Sequence, residues 1–517
     1  MSGFKFLIDT NIVIGLEDAH PVKAPFAELI RKCSERGIRI FVDEAVYDDI
    51  GRDKNSARRA ITLSKLAKFE RLRGLPSPPI DALAAEFGPI SRENDHCDVR
   101  LLLGLKSKAV DFLVTEDADL HRRADRVSLG PNVLTVEEAL GWIRTTFEPL
   151  EVSLPFVIEK TAYQIDRKDP IFESLRAGYP DFDAWFDKCA REHRPCWVVE
   201  IDGQLAGLVI RKDETHADAK THHPGPKILK ICTFKMKPEF RGEKFGEQLL
   251  KQILWFAQRN GYDLVYLTTF PDQEFLIEML RAYGFIETGK NIRGEHILEK
   301  PLIKGLIEPN ESDAITLARR YYPRFWIGDE VRKFCVPIQA SYHQKLFPEL
   351  AAPPDLPLFP ESVFGRTHLY PHRAERIPGN TIRKVYLCRA KTRALRPGDL
   401  LFFYMSKDGW HRASQSITSV GVVEQVTEAT NLDDLLRMTA KRSVFSEADL
   451  KELVAQSPST PIKVIDFLLT GHLDPPVTLQ TLLACNVFNR RPPQSIAELP
   501  LDRFAALRSH LNLGFAL

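Results

Sequence analysis

Several features that mark particular protein classes are missing from this sequence of 517 residues. No apolar run approaches the roughly 18 to 20 residues that a membrane-spanning helix needs. The opening segment, MSGFKFLIDTN, lacks the basic and then apolar layout of a signal peptide. The eight cysteines include no CxxC pair and no spacing typical of zinc ligands. We therefore expect neither a membrane span nor a disulfide framework, but free or buried thiols in a reducing cytoplasm.

An overall excess of charge is also missing, since the formal net charge is +1. The whole chain thus carries no electrostatic sign of nucleic-acid binding, but its local charge is uneven. Between Arg366 and Arg396, nine Lys and Arg residues stand against a single acid, Glu375. This stretch could follow a phosphate backbone, or it could be an ordinary solvated basic surface.

Length and pattern indicate a soluble protein of several domains, of mixed α/β and α+β class. A chain this long exceeds what one hydrophobic core usually supports. Its 44% hydrophobic and 27% charged residues are ordinary for globular proteins. Strand and helix patterns divide the chain into blocks over residues 1–147, 150–303 and 327–517, with a connector at 304–326.

The first block alternates short apolar strands, such as FKFLID and DFLVTED, with helical stretches. This alternation predicts a parallel sheet that is covered by helices on both faces, with its site beyond the carboxyl ends of the strands. Acids fall near such ends at Asp9, Asp49, Asp98 and Asp117. Converging carboxylates need cations, and their hard oxygen atoms suit Mg²⁺ or Mn²⁺, which can activate water for phosphodiester hydrolysis.

Each acid has a simpler explanation when it is taken alone, because Asp9 or Asp117 could cap a helix and Asp49 could be surface charge. Together, LIDTN, the helical DDI, Asp98 and VTEDADL resemble the PIN nuclease family. The resemblance implies a PIN-like parallel α/β/α sandwich that cuts RNA. It implies Asp9, Asp49, Asp98 and Asp117 as catalytic metal ligands, supported by Asn11, Thr115 and Asp119, with Asp95 as a competitor of Asp98. Asp49 departs from the family, which usually has Glu there.

The second block contains a strand, a turn with glycines and a helix in succession. The strand is ILKICTFKM, the turn is KPEFRGEKFG and the helix is EQLLKQILWFAQRN. Free N–H groups at a helix N-terminus, helped by the helix dipole, can hold phosphate groups. A plain strand–helix connection would give the same local pattern.

The wider order of elements, from this turn through LVYLTT to AYGFIETG, resembles the GNAT acetyltransferase family. The resemblance implies a mixed sheet with helices, splayed at ILKICTFKM, and acetyl-CoA as the cofactor. The backbone of Phe234, Lys235 and Met236 would pair with the pantetheine arm. The pyrophosphate would be held by Arg241, Gly242, Glu243, Lys244, Phe245 and Gly246.

This block departs from the family pattern at positions that concern turnover. Lys244 replaces the usual central glycine, and Gln273 stands where an Asn usually precedes the last helix. The tyrosine that often protonates the leaving thiolate falls on Leu280, with Tyr283 nearby. No acid lies within ILKICTFKM, so the candidate general base is Glu200 on a neighbouring strand. We expect acetyl-CoA binding, with either turnover or a sensing role.

The loop HADAKTHHPG in the same block carries His216, His222 and His223. Histidines this close together in sequence are candidate metal ligands. The alternative, which the polar composition favours, is a mobile hairpin loop between two strands.

The third block is richer in proline and in β-type runs. Its strand pattern and the turn at Pro397-Gly398-Asp399 resemble the ASCH and PUA-like β-barrels. The resemblance implies a β-barrel with helices that binds RNA in a cleft. Tyr370, Tyr386 and Tyr404 would offer stacking surfaces for bases, or would pack in the core. The candidate RNA-binding side chains are Arg373, Arg376, Arg383, Lys384 and Arg389.

These observations leave functions of different classes open. The main hypothesis is an RNA-directed enzyme that cuts RNA in the first block, binds tRNA or ribosomal RNA in the third and acetylates a related target in the second. Its setting in toxin, defence or stress-response proteins is an analogy from domain company. The alternatives are an N-acetyltransferase of protein or small molecule whose flanking domains only recruit it, and a regulatory protein that senses acetyl-CoA and RNA.

Overall fold

The computed structural model describes most of the chain, and its residues divide into two compact units. The described residues are 3–9, 12, 24–51, 59, 63, 66–76, 78–90, 93–147, 157–201, 203–219, 221–240, 244–307, 312–350, 381–389, 395–408, 414–440, 442, 445–456 and 460–517. Those within 1–150 and 429–458 form the first unit, and those within 151–240, 244–428 and 459–517 form the second. No helix in these ranges has both the length and the apolar character to cross a membrane.

The first unit is built on a five-stranded parallel sheet of order β3-β2-β1-β4-β5. Its strands are β1 (Lys5–Ile8), β2 (Arg39–Asp43), β3 (Glu70–Leu72), β4 (Phe112–Val114) and β5 (Val133–Leu134). The described helices that connect and follow them are α1 (Ala24–Arg36), α2 (Glu44–Gly51), α3 (Ile80–Phe87), α4 (Glu93–Lys106), α5 (Ala118–Arg126) and α6 (Val136–Phe147). The α/β alternation of the sequence is therefore confirmed as a parallel sheet.

The central strands of this sheet are buried on both faces, as helices packed on both sides require. Phe6, Leu7 and Ile8 of β1 are all fully buried. Because parallel strands end at the same edge, the residues that follow β1 and β4 lie side by side. The backbone N–H of Asp9 donates to the carbonyl oxygen of Val114 over 3.0 Å. This edge collects the acids that the sequence singles out.

The second unit contains a seven-stranded mixed sheet of order β11-β12-β10-β9-β8-β7-β6. Its strands are β6 (Val157–Thr161), β7 (Pro195–Ile201), β8 (Gln204–Glu214), β9 (Ile228–Met236), β10 (Leu264–Thr269), β11 (Ile286–Lys290) and β12 (His296–Pro301). The central neighbours β9 and β10 pair in parallel, and the other neighbours pair antiparallel.

Helices cover both faces of the seven-stranded sheet. They are α7 (Glu173–Gly178), α8 (Phe182–Arg191), α9 (Phe245–Arg259) and α10 (Glu274–Ala282). Phe186 of α8 packs with Val198, whereas Leu249 of α9 packs with Val199. Since successive residues of a strand point to opposite faces, α8 and α9 lie on opposite sides.

The C-terminal part of the second unit forms a six-stranded mixed sheet of order β14-β17-β16-β15-β13-β18. Its elements are α11 (Ala314–Arg320), β13 (Lys333–Ile338), α12 (Ala340–Leu346), β14 (Arg383–Cys388), β15 (Leu400–Met405), β16 (Ser416–Ala429), β17 (Ile462–Thr478), α15 (Leu479–Ala484), β18 (Ala497–Leu499) and α16 (Leu501–Arg508). Between β16 and β17 the chain forms α13 (Leu432–Met438) and α14 (Glu447–Ala455), which belong to the first unit. The ASCH or PUA-like barrel stays a prediction.

Helix α13 packs at the end of the parallel sheet that lies opposite the acidic edge. The Nε of Arg437 donates to Oδ1 of Asp111 over 2.6 Å. The other carboxylate oxygen of Asp111 accepts from the backbone N–H of Lys5 over 2.8 Å. Asp111 and Lys5 lie at the amino ends of β4 and β1. This contact therefore leaves the carboxyl ends of the strands uncovered by α13.

The seven-stranded and six-stranded sheets of the second unit share one hydrophobic core. A continuous cluster of buried side chains includes Val265 of β10, Leu250 and Leu254 of α9, and Phe403 and Leu468 of β15 and β17. Helix α9 therefore lies between the two sheets.

Candidate functional site

An opening between β9 and β10 is the main feature of the seven-stranded sheet. The two strands pair from Ile228 opposite Leu264 only as far as Ile231 opposite Leu267. Strand β9 continues to Met236, where it is still paired with β8 on its other side. Over the last residues of β9, no strand of the described chain pairs with the edge that faces β10. Backbone groups along such an edge are available to an extended ligand.

A β-bulge sits where this opening begins. The register of β8 and β9 shifts between Ile210 and Arg211, which leaves Cys232 without a direct partner on β8. An extra residue of this kind bends its strand and increases the local twist. It also reverses the alternation of side chains, so that Phe234 and Met236 pack against the same core as Ile231. The bulge therefore helps to separate β9 from β10.

Helix α9 begins close to the open end of β9. Its N-cap residue, Lys244, has a φ of 60° and a ψ of 18°, the left-handed conformation that glycine adopts most easily. An L-residue in this conformation costs about 1–2 kcal/mol. The backbone thus keeps the shape that the glycine of the family pattern would give, although the side chain is that of lysine. Arg241, Gly242 and Glu243 lie outside the described residues.

A buried carboxylate lies at the carboxyl end of β10. Glu295 is 5% exposed, and its two oxygens accept hydrogen bonds from the hydroxyls of Tyr179 and Thr268 and from the side-chain amide of Asn291. Thr268 is the first residue of β10 beyond the part that pairs with β9. Tyr179 comes from the turn between α7 and α8, and Glu295 directly precedes β12. The carboxylate therefore lies beside the opening.

The carboxylate of Glu295 contributes to a change in the acidity of the phenol of Tyr179. Burial, followed by the hydrogen bond to Glu295, raises the pKa of Tyr179. Its ring packs against Phe270 with centroids 5.4 Å apart. The sequence did not point to Glu295, which lies in an ordinary polar hairpin turn, or to Tyr179, which follows a short helix. Neither position has a local pattern that marks a site.

Glu200, which the sequence offers as a possible general base, lies away from the opening. Glu200 is on β7 and forms an ion pair with Lys160 of β6. Strand β8 separates β7 from β9, so Glu200 is two strands from the opening. Neighbouring strands are about 4.8 Å apart, which puts β7 roughly 10 Å from β9.

Leu280 and Tyr283, the positions at which the sequence places a proton donor for the leaving thiolate, are buried in the core. Leu280 is 1% exposed and has no hydroxyl. Tyr283 is 3% exposed, and its hydroxyl lies 3.3 Å from Oε1 of Glu247, on the face of α9 that is turned to the C-terminal sheet. Gln273 is the N-cap residue of α10, and its side-chain amide donates to Asp272 over 3.0 Å.

The histidine loop is held against the sheet by Glu299 of β12. This fully buried carboxylate accepts from the backbone N–H groups of His222 and His223 over 2.7 and 2.9 Å. It also lies 2.8 Å from Nδ1 of His223 and accepts from Thr288 over 2.9 Å. These contacts anchor the loop to β12. His216, in contrast, is exposed.

The acidic edge of the first unit brings three of the predicted aspartates together. The pKa of Asp98 is raised to about 7 by burial and by the charges of Asp9 and Asp117. The hydroxyl of Thr115 donates to Oδ2 of Asp9 over 2.6 Å and accepts from the backbone N–H of Asp117 over 3.0 Å. Crowding of like charges is what an added cation would relieve.

Other predicted acids of this edge are engaged differently. Asp95 forms an ion pair with Arg123 over 3.0 Å, and Asp119 forms one with Arg122. The side chain of Asp49 and all of Asn11 lie outside the described residues. Within the described part of the chain, no group of three or more His, Cys, Asp or Glu side chains is arranged to hold a metal ion.

One of the predicted RNA-binding residues, Lys384, is not available at a surface, which corrects its assignment. Lys384 is 1% exposed, and its Nζ donates to the carbonyl oxygen of Leu346 over 2.6 Å. Tyr404 is also 1% exposed, and the hydroxyl of Tyr386 donates to the carbonyl oxygen of Pro337 over 3.2 Å. The backbone N–H of Arg383 donates to Glu247, and Arg389 is half-buried. Tyr370, Arg373 and Arg376 lie outside the described residues.

Comparison with known proteins identifies one region of the chain. Residues 160–285 match the Acetyltransferase (GNAT) family, which confirms the resemblance drawn from the sequence for this block. N-acetyltransferase family 8 member 2 from Rattus norvegicus is 30% identical over 97 residues, which are 19% of this chain and 41% of that protein. Probable N-acetyltransferase camello from Xenopus laevis is 26% identical over 120 residues, which cover 21% of this chain and 51% of that protein. The chain spans about two-fifths to half of the length of these relatives.

Similar solved structures include the PaiA N-acetyltransferase from Thermoplasma acidophilum in complex with coenzyme A. It is 15% identical, with a TM-score of 0.23, and the match covers 28% of this chain and 99% of that chain. A GNAT family acetyltransferase from Elizabethkingia anophelis with acetyl-CoA bound is 15% identical, with a TM-score of 0.22. That match covers 28% of this chain and 98% of that chain.

Proposed function

We propose that this chain, in which residues 160–285 form a GNAT acetyltransferase domain, transfers an acetyl group from acetyl-CoA to an amine. The observation that carries the proposal is the opening between β9 and β10 beyond Ile231 and Leu267, next to the N-terminus of α9. We assign the acetyltransferase domain to residues 150–303, with a connector at 304–326 and a recruiting region over 327–517 apart from residues 429–458, which belong to the first unit.

The opening suits the shape and chemistry of acetyl-CoA. Its pantetheine arm carries amide groups that can pair with the free edge of β9 at Phe234, Lys235 and Met236. Its pyrophosphate is an anion, and residues 241–246, which we propose as its binding segment, include the N-terminus of α9, where backbone N–H groups attract anions. The left-handed Lys244 supports this assignment, because its backbone has the conformation that a glycine there would adopt most easily.

The acceptor amine would approach Glu295. Acetyl-CoA supplies an activated acetyl group, and transfer breaks its C–S bond, forms an amide, and releases the thiolate of coenzyme A and a proton from the amine. Glu295 is placed to accept this proton because it lies beside the opening, and its hydrogen bonds from Tyr179, Thr268 and Asn291 fix the orientation of its carboxylate. A positioned base of this kind contributes roughly 100-fold or more to the rate.

The test is acetylation of a panel of peptide and small-molecule amines by the full chain. The reaction is measured by release of the coenzyme A thiol and by mass spectrometry of the product. Glu295→Gln keeps the shape but removes the base, so kcat should fall roughly 100-fold. The matched control is Glu192→Gln, which removes an exposed carboxylate paired with Arg194 and should leave kcat unchanged. The proposal fails if the wild-type protein neither binds acetyl-CoA nor acetylates any amine.

A second candidate function belongs to the first unit, and one observation favours it. Burial, followed by the charges of Asp9 and Asp117, raises the pKa of Asp98 to about 7. These three carboxylates therefore lie close together. We propose a metal-dependent PIN-type nuclease over residues 1–147 that uses Mg²⁺ or Mn²⁺ and cuts RNA. Asp9, Asp98 and Asp117 are not arranged to hold an ion by themselves. Together with Asp49 they would bind it, and the ion would activate water at the phosphodiester.

RNA cleavage with and without Mn²⁺ tests this second candidate. Asp117→Asn should abolish cleavage, while Asp81→Asn, which changes an exposed acid at the start of α3, should not. Cleavage that persists in Asp117→Asn, or that does not depend on a divalent cation, would overturn the assignment. Lys384 and Tyr404 of the C-terminal region are buried, so we propose no RNA binding through them.

A further inference from the structure

Helix α9, which begins at Phe245, is enclosed along almost its whole length. Of its 15 residues, only Arg259 at its end is exposed. A helix on the surface of a domain normally leaves its polar face in water. One face of α9 packs on the seven-stranded sheet, and another is covered by the C-terminal part of the chain.

The covered face carries polar side chains spaced four residues apart, which places them in one row along the helix. Glu247 accepts a hydrogen bond from the backbone N–H of Arg383 over 2.7 Å. Trp255 donates to the hydroxyl of Tyr322 over 2.9 Å, and that hydroxyl donates to the carbonyl oxygen of Leu469 over 2.8 Å. At the far end, Nε of Arg259 donates to the carbonyl oxygen of Leu513 over 3.1 Å. We call Glu247, Lys251, Trp255 and Arg259 the α9 stripe.

The strongest contact of the α9 stripe is the ion pair between Lys251 and Glu349, whose charged atoms are 3.0 Å apart. Glu349 lies in the turn after α12 and also contacts Nε2 of His472 at 3.0 Å and Nζ of Lys384 at 3.6 Å. Burial alone would raise the pKa of Glu349, but the charges of Lys251 and Lys384 and the hydrogen bond with His472 hold it well below its usual value. The carboxylate therefore stays charged and fixes Lys251.

We propose that the C-terminal region sets the affinity of the acetyltransferase site for coenzyme A by holding α9, with Lys251 and Glu349 as positioning residues. The inference rests on the proposed acetyltransferase function. Glu247 is only three residues after the left-handed Lys244, so a shift of α9 against β14 moves the N-terminus of α9, which the proposed function assigns to the pyrophosphate. Any ligand that displaces the C-terminal sheet would change coenzyme A binding, and coenzyme A would change binding of that ligand by the same factor.

The experiment measures the Kd for coenzyme A by isothermal titration calorimetry, with the full chain held well below its unfolding temperature. Lys251→Met keeps the apolar stem and removes the ammonium group. We expect Kd to rise roughly fivefold or more, the lower end of the usual coupling between sites. Lys251→Arg keeps a cation that can reach Glu349 and should restore most of the affinity. Gln252→Met, one position along the helix and outside the α9 stripe, is the control.

The outcomes separate positioning from general stability. If Lys251 only stabilised the fold, Lys251→Met would lower the unfolding temperature while the folded protein bound coenzyme A with unchanged Kd. That result, or a Kd within twofold of the wild type, overturns the coupling. Failure of the wild-type protein to bind coenzyme A overturns the proposed function instead. A raised Kd in Lys251→Met, restored in Lys251→Arg, supports the coupling.

Discussion

Two groups of partly buried charges in this chain respond to burial in opposite ways. At the acidic edge of the first unit, the pKa of Asp98 is raised to about 7 by burial and by the charges of Asp9 and Asp117. At the α9 stripe, Glu349 is also buried, yet nearby lysines hold its pKa well below the usual value. Both are carboxylates removed from water. The sign of the neighbouring charges decides which form is stable.

Because of this difference, the charges at the acidic edge need an added ion to balance them, whereas the charges at the α9 stripe balance one another. The acidic edge keeps repulsion that only an added cation or a proton can relieve. The carboxylate at the α9 stripe is compensated by groups of this chain, so it can fix geometry without a ligand. Mutations should therefore change stability in opposite directions at the two places.

The largest effect is expected for Glu349→Gln. Removing this carboxylate leaves Lys251 and Lys384 facing each other without compensation in a buried place. Breaking a buried ion pair by removal of one partner costs about 3–5 kcal/mol. Urea unfolding of the full chain should give a transition midpoint shifted to lower urea for the second unit. A change below 1 kcal/mol would mean that water compensates the lysines.

The opposite sign is expected for Asp98→Asn. The folded state binds a proton on Asp98 more tightly than the unfolded state does, so the stabilisation it provides is present at low pH and is lost as pH rises from about 4 through 7. At pH 8 without divalent cations, Asn should raise the unfolding free energy by up to about 4 kcal/mol. Thermal unfolding in EDTA measures this gain. Adding Mn²⁺ should stabilise the wild type and shrink the difference, and a variant less stable in EDTA would contradict the crowding of charges.

Lys300 is a buried cation whose hydrogen-bond partners are neutral carbonyl groups. It is therefore intermediate between the repelled carboxylate of Asp98 and the compensated carboxylate of Glu349. The Nζ of Lys300 donates to the carbonyl oxygens of Tyr283 and Arg320 over 2.6 and 2.8 Å, and burial lowers its pKa to about 7. The folded state thus binds this proton less tightly than the unfolded state, and stability rises with pH between about 7 and 10.

Burial also lowers the pKa of Lys384 to about 7, so a comparison of wild type with Lys300→Met is needed to isolate the titration of Lys300. Unfolding free energy of the wild type should gain about 1.4 kcal/mol per pH unit relative to the variant between pH 7.5 and 9. Parallel pH profiles for the two proteins would show that the carbonyl groups keep Lys300 charged.

The sequence predicted the acidic edge because Asp9 and Asp117 follow strands of one parallel sheet, and parallel strands end at one edge. It also predicted the strand and turn of the acetyltransferase domain from their local pattern. It did not predict Glu295 with Tyr179, since these side chains are 116 residues apart in the chain and meet only through folding. Nor did it distinguish the buried Lys384 from its basic neighbours, because composition does not reveal which way a strand residue points.

The smallest effect concerns strain at the phosphate turn. Lys244→Gly relieves a left-handed conformation worth about 1–2 kcal/mol, but glycine also gains freedom in the unfolded chain, so the net gain should be below about 1 kcal/mol. Lys108→Gly is the matched control, since Lys108 has a φ of 58° in the first unit. Both changes should raise the unfolding temperature slightly. Only Lys244→Gly should change the Kd for coenzyme A, because only Lys244 belongs to the proposed turn, and equal binding in both variants would remove Lys244 from the site.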